Sequence, residues 1–179
     1  MVAVACAGLV LIFAAGCASA PTPGPGTATS TPTPVFASDE EALAAATEAY
    51  ANYQELADEI DSDGGQNPER IASVVSERFL PTAVHQSDGF LQSNLRSIGT
   101  TKFIIDGTQH LSYSDPATTD LSLYICDDVS GVDVVDEAGA SRVAEARDVV
   151  TPFEVSFVLN PDGVLVVDSR DVWVGDDFC

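Results

Sequence analysis

Phe153-Glu-Val-Ser-Phe-Val-Leu159, Asn160-Pro-Asp-Gly163 and Val164-Leu-Val-Val-Asp-Ser-Arg-Asp-Val-Trp173 decide the fold. Phe153, Val155, Phe157 and Leu159 fall on every second residue, the period of a strand with one buried face. Asn160 to Gly163 supply turn residues, and the apolar run beyond them returns along the first strand as an antiparallel hairpin. Upstream, Leu121, Leu123 and Ile125 alternate with Ser122, Tyr124 and Cys126, which predicts another half-buried strand. Residues 132–135 predict a shorter one. Phe103-Ile104-Ile105 opens the β region after Thr100, and Asp115-Pro116 marks a turn within it.

Before Thr100 the apolar period is helical. Ser38-Asp-Glu-Glu41 is a capping box, with Ser38 as N-cap and Glu41 reaching back. Leu43, Ala46, Tyr50, Tyr53, Ala57 and Ile60 then recur at helical spacing, predicting a helix over residues 39–60 that ends in Asp61-Ser-Asp-Gly-Gly65. Asn67-Pro68 predicts a second start, with Ile71, Val74, Val75 and Phe79 on one face. After Pro81, the residues Leu91, Leu95 and Ile98 predict a third helix closed by Gly99. About three N-terminal helices followed by a curved antiparallel β-sheet is an α+β layout, the helices packing on one sheet face.

Charge narrows the partners. The 179 residues carry 28 acids against seven bases, a formal −21. All of that charge lies from Asp39 onward. Lys102 is the only lysine, and the bases are scattered. Such a surface repels phosphate backbones and anionic headgroups, so no nucleic-acid partner is expected and membrane contact falls to the N-terminus. Solubility accounts for the acidity most simply; a basic or cation-rich partner is the sharper reading.

The N-terminus reads as an address. Residues 2–15 form an apolar run too short to span a bilayer but of the length of a signal-peptide core. It closes on Ala14-Ala15-Gly16-Cys17, which resembles the lipobox of bacterial lipoproteins. It departs from the commonest pattern at Ala14, where leucine is usual, and in having no Lys or Arg before the apolar run. The resemblance implies cleavage before Cys17, lipid on its thiol, and residence on the outer face of the cytoplasmic membrane. An ordinary secretory signal with Cys17 incidental is the alternative. Residues 18–37 hold five prolines, five threonines, two serines and no charge. That composition cannot build a core, and as extended polyproline it reaches roughly 60 Å. The expected organisation is a signal peptide over 1–16, a lipidated cysteine and Pro/Thr-rich linker over 17–37, and an α+β domain over 38–179.

Cysteine use follows from that address. Cys6 leaves with the signal, Cys17 takes lipid, and Cys126 and Cys179 remain. Two cysteines in an exported domain read as one disulfide, contributing ~4 kcal/mol at most by loop-closure entropy. The alternative is a buried thiol at Cys126 and a free one at Cys179.

Residues 124–136 (Tyr-Ile-Cys-Asp-Asp-Val-Ser-Gly-Val-Asp-Val-Val-Asp) and the 153–179 hairpin ending in cysteine resemble the NTF2-like, or cystatin-like α+β roll, superfold. The likeness is to its small actinobacterial lipoproteins and covers residues 38–179. It implies a cone-shaped pocket between sheet and helices, lined in the enzymes of the superfold by Asp, His and Tyr. Tyr50, Tyr53, Tyr113, Tyr124, His110 and Asp168 are of suitable type.

No motif assigns chemistry to any of them. Asp61-Ser-Asp63-Gly64 resembles part of a calcium loop, but in that register Arg70 stands where a bidentate Glu is required. His85 and His110 lack the spacing of a triad or a metal pair. Asp127-Asp128 and Asp176-Asp177 are adjacent pairs, whose members point to opposite faces of a strand. No catalytic, cofactor or metal residue is therefore assigned. The expected function is a surface-tethered binding or interaction module for a protein, cell-wall or small-molecule ligand. A small pocket enzyme of isomerase, dehydratase or hydrolase type is its rival.

Overall fold

The capping box at Ser38 starts the longest element. In the computed structural model, which describes residues 33–179, helix α1 spans Asp39–Ser62. Ser38 Oγ accepts from the Glu41 amide, while the Glu41 carboxylate accepts from Ala37 N at 2.7 Å. Ala42, Ala46, Ala49, Tyr50, Tyr53 and Ile60 form its buried stripe. Gly65 ends the turn beyond at φ +74°; a Cβ there would lie 2.4 Å from Ser87 O, so only glycine admits the next helices so close.

Residues 67–98 differ from the periodic reading. Asn67 adopts a left-handed conformation and caps nothing with its side chain, and Pro68–Ser73 is a 3-10 turn. The expected second helix stops there, because Val74 to Ser76 are drawn out alongside the sheet. Val75 bridges Val167 in parallel, and Ser76 N donates to Val167 O at 2.8 Å. Two short helices follow, α2 (Leu80–Gln86) and α3 (Asp88–Ser93). The predicted third helix breaks at Asn94, which is left-handed, and Arg96–Ile98 becomes strand β1 instead.

The remaining strands are β2 (Lys102–Ser112), β3 (Asp120–Asp128), β4 (Asp133–Val135), β5 (Val150–Leu159) and β6 (Leu165–Val172), with a 3-10 turn at Pro116–Thr118. Four of them form an antiparallel sheet in the order β2-β3-β5-β6, and β1 pairs with β4 in a small second sheet. The three α-helices precede the strands, with one 3-10 turn between β2 and β3, and the strands divide between two sheets rather than forming one. Leu121, Leu123, Ile125, Val155, Phe157 and Val167 line the inner face against α1. Among the described residues, no helix is long and apolar enough to cross a membrane.

Strand β3 is buried on both faces rather than one. Its outer residues are covered by the C-terminal segment, which returns over the sheet. Tyr124 meets Trp173 and Phe178 edge-on or tilted, with ring centroids 5.2 and 5.3 Å apart. Cys126 is bonded to Cys179, their Cα atoms 5.7 Å apart. At the other end, Val35 N donates to Tyr113 O and Phe36 packs on the Tyr113 ring, so the chain joins the domain slightly before residue 38.

Candidate functional site

Alternation along β3 carries Asp127 onto the inner face after Leu121, Leu123 and Ile125. Its carboxylate is 2% exposed. A bare charge there would be prohibitively costly, and the structure surrounds it with donors. Tyr50 Oη, one face of α1, donates to both oxygens at 2.8 and 2.9 Å. One turn on, Gln54 Nε2 donates to Oδ2 at 2.8 Å. Arg170 Nη2 reaches the same oxygen at 2.6 Å, and its Nε donates to Tyr50 Oη at 3.0 Å.

A bulge puts Arg170 there. Between Phe157↔Val167 and Ser156↔Ser169 the register slips by one residue, leaving Asp168 as the extra. Leu165 and Val167 face inward before the slip and Arg170 after it, so the parity of the strand changes. Asp168 itself is held by Ser76 Oγ at 2.5 Å and by Arg78. The Arg170 guanidinium lies 3.5 Å over the Phe153 ring, which adds a cation–π contact in a dry setting.

The electrostatics follow from this closure. Burial pushes the Tyr50 hydroxyl well above its usual range; Arg170 opposes that and Asp127 reinforces it. Burial works against the charge on Arg170, but Tyr50 and Asp127 outweigh it and raise its pKa further. Both shifts keep the proton on its group, so Tyr50 stays neutral and Arg170 stays charged. Tyr53 hydrogen-bonds to Gln86 at 2.8 Å and stacks on Tyr50.

Beside this cluster lies an open groove of about 530 Å³, between α1 and the loop joining β1 to β2. Gln54 and Phe103 form its floor. Asp58 accepts from Thr101 N and Oγ1 at 2.7 and 2.8 Å and so holds the far wall. Gly99, at φ +98°, lets that wall pass over Gly131, whose oxygen would lie 2.1 Å from a Cβ. A second groove of about 590 Å³ runs past Asp63, Asn94, Arg96 and Asp136.

The sequence candidates scatter. Tyr50 and Tyr53 reach the interior, whereas Tyr124 packs on the outer face and Tyr113 donates to Asp39. His110 is exposed on β2, and His85 is exposed with Nδ1 2.8 Å from Asp88. Asp63 pairs with Arg70, which also holds Glu59, so the calcium-like stretch is a tied helix end. Among the described residues, no group of three or more His, Cys, Asp or Glu side chains is placed to hold a metal. Cys17 lies outside the described residues. Sequence reasoning missed Gln54, Asp127 and Arg170 as a set. The parity of β3 points Asp127 inward, but the bulge that turns Arg170 has no periodic signature.

No family model matches the chain, and no curated protein matches it. Among solved structures, the intermembrane-space region of the chloroplast protein ARC6 aligns with TM-score 0.53 at 13% identity, over 73% of this chain and 95% of that one. A protein from Catenulispora acidiphila aligns with TM-score 0.48 at 13% identity, over 74% and 93%. A periplasmic fragment of TraM aligns with TM-score 0.42 at 12% identity, over 76% and 98%. The likeness to the ARC6 region is one of fold alone: an α+β domain with helices on an antiparallel sheet.

Proposed function

We propose that this chain is an NTF2-like domain held by lipid on Cys17 at the outer face of the cytoplasmic membrane, where it acts as a binding or interaction module. The observation that carries the reading is the division of labour among its polar groups. Tyr50, Asp127 and Arg170, the inner residues an enzyme would recruit, are committed to one another. Glu55, in the groove beside α1, instead faces solvent. A general acid or base needs an atom within reach of substrate, and the closed cluster leaves Asp127 none. The uncharged Pro/Thr-rich linker supports the tether, and a bonded Cys126–Cys179 pair suits an oxidising compartment.

The test is complementation of a deletion strain at matched surface levels. Removing residues 18–32, which spares the Val35 and Phe36 contacts with Tyr113, should impair the phenotype by drawing the domain onto the membrane. His85→Gln with His110→Gln should leave it intact. Full complementation without the linker, or its loss in a folded histidine double variant, would overturn the reading and favour a pocket enzyme.

A further inference from the structure

We propose that the Cys126–Cys179 bond is a thiol-exchange site, opened at Cys179 by a low-molecular-weight thiol, a cationic one in preference to an anionic one. Its opening lifts residues 174–179 off the outer face of the sheet. This goes beyond the binding-module reading and stands on the paired cysteines and the segment they hold. Access separates the two residues. Cys126 lies on β3 and is 8% exposed, whereas Cys179 is exposed. An incoming thiolate therefore reaches Cys179. Its sulfur bonds to Cys179 Sγ, the Cys126–Cys179 bond breaks, and Cys126 Sγ leaves as a thiolate that takes a proton from water. One disulfide is exchanged for a mixed one, with no net oxidation or reduction. A second molecule of the thiol, attacking the mixed disulfide, frees Cys179 and leaves with the first as their disulfide, so the protein gains the two electrons they lose.

The segment has little besides that bond to keep it in place. Trp173 N donates to Pro152 O at 2.9 Å. From Val174 to Cys179, among the described residues, no hydrogen bond joins the segment to the body of the domain. Trp173 Nε1 donates to Asp176 O and Cys179 N to Asp177 Oδ1, both within the stretch 173–179. Phe178 against Tyr124 is its aromatic hold, small beside covalent closure. The inner face does not share this dependence, because Tyr50, Asp127 and Arg170 all precede the segment and close on one another. Charge selects among thiols. Asp176 and Asp177 are exposed close to Cys179, in a chain of formal charge −21, so their field repels a thiol carrying a second negative group. Trp173 reports on the segment. It is the only tryptophan, and Gly175 lies so close that a Cβ there would sit 2.6 Å from the indole.

The full chain, purified in non-ionic detergent, would be incubated with cysteamine and, separately, with 2-mercaptoethanesulfonate, then quenched in acid and peptide-mapped. The expected result is the adduct on Cys179 and a free thiol on Cys126. As the adduct forms, Trp173 emission should move to longer wavelength and become easier to quench with acrylamide, while the far-UV circular dichroism stays unchanged. Per thiolate, cysteamine should react several-fold faster at about 0.01 M salt, and the gap should narrow at about 1 M salt, where screening acts over about 3 Å. Asp176→Asn with Asp177→Asn should narrow it too, whereas Glu77→Gln, which removes a charge elsewhere, should not. Cys179→Ser, checked for a cooperative melt, should show the shifted emission with no thiol added. An adduct on Cys126, or no exchange without denaturant, would overturn the exchange site. Unchanged Trp173 emission in the adduct would show that the segment stays in place, and loss of circular dichroism that the bond holds the whole fold; either result refutes a releasable cover. A rate ratio indifferent to salt and to the two Asp→Asn changes would refute the selection by charge.

Discussion

The two faces of the four-stranded sheet are fastened by opposite means. On the inner face, Tyr50, Gln54 and Arg170 close around Asp127 by hydrogen bonds and charge and hide its carboxylate from water. On the outer face, Trp173 and Phe178 lie over Tyr124, and a covalent bond ties Cys179 to Cys126. The inner fastening works only as a complete set, because any member left alone is a buried unpaired group. The outer one works by restricting the unfolded chain and depends on the redox state around it. The two meet on β3 at neighbouring residues, Cys126 and Asp127, which face opposite ways. One short strand thus carries both fastenings.

The largest effect should come from breaking the inner set. Asp127→Ala leaves the Arg170 guanidinium buried without its carboxylate and should cost about 3–5 kcal/mol in urea unfolding. Asp127→Leu combined with Arg170→Met removes both charges and should recover most of that loss. If the double variant is as unstable as the single, pairing is not what holds the inner face. On the outer face, Cys179→Ser should cost about 2–4 kcal/mol and make the remaining stability insensitive to reductant. A loss larger than that of Asp127→Ala would reverse the order of the two fastenings.

The smallest effect is at the end of α1, away from both. Burial raises the Asp61 pKa to about 6; its hydrogen bond from Ser87 opposes the shift and Asp58 adds to it. The folded state therefore holds this proton more tightly than the unfolded chain, whose carboxyl titrates near its ordinary value of about 3.9. Protonation at this site is fully stabilising at the acid end of that interval. The contribution is lost as pH rises through about 6. Asp61→Asn should stabilise the domain at pH 7 by on the order of 1 kcal/mol, after discounting for partial exposure. Its advantage should shrink as pH falls towards 4. An advantage constant with pH would remove Asp61 from the titration.

Legibility in the sequence followed how local each constraint is. Helix α1 is readable because its capping box and 3.6-residue stripe lie within its own 24 residues. The β5–β6 hairpin is readable because its turn and alternation are contiguous. Residues 67–98 were not, because Val74 to Ser76 serve as a partner for Val167, some 90 residues away. The same apolar spacing suits a helix face until that strand edge draws it out. By alternation alone Tyr124 and Cys126 read as the solvated side of β3; the expected pairing of Cys126 with Cys179 brings the C-terminus there, but nothing local announces that Trp173 and Phe178 cover Tyr124. At the site, Asp127 follows from parity, whereas Arg170 requires knowing the bulge at Asp168.

The proposed working place of this domain is outside the cytoplasm, on a lipid tether. Its most direct test is the intact mass and non-reducing peptide map of the chain taken from its own cell envelope. The account predicts a chain beginning at Cys17 with lipid on that residue, and a peptide joining Cys126 to Cys179. An unmodified Cys17, or alkylatable thiols at both Cys126 and Cys179, would contradict it.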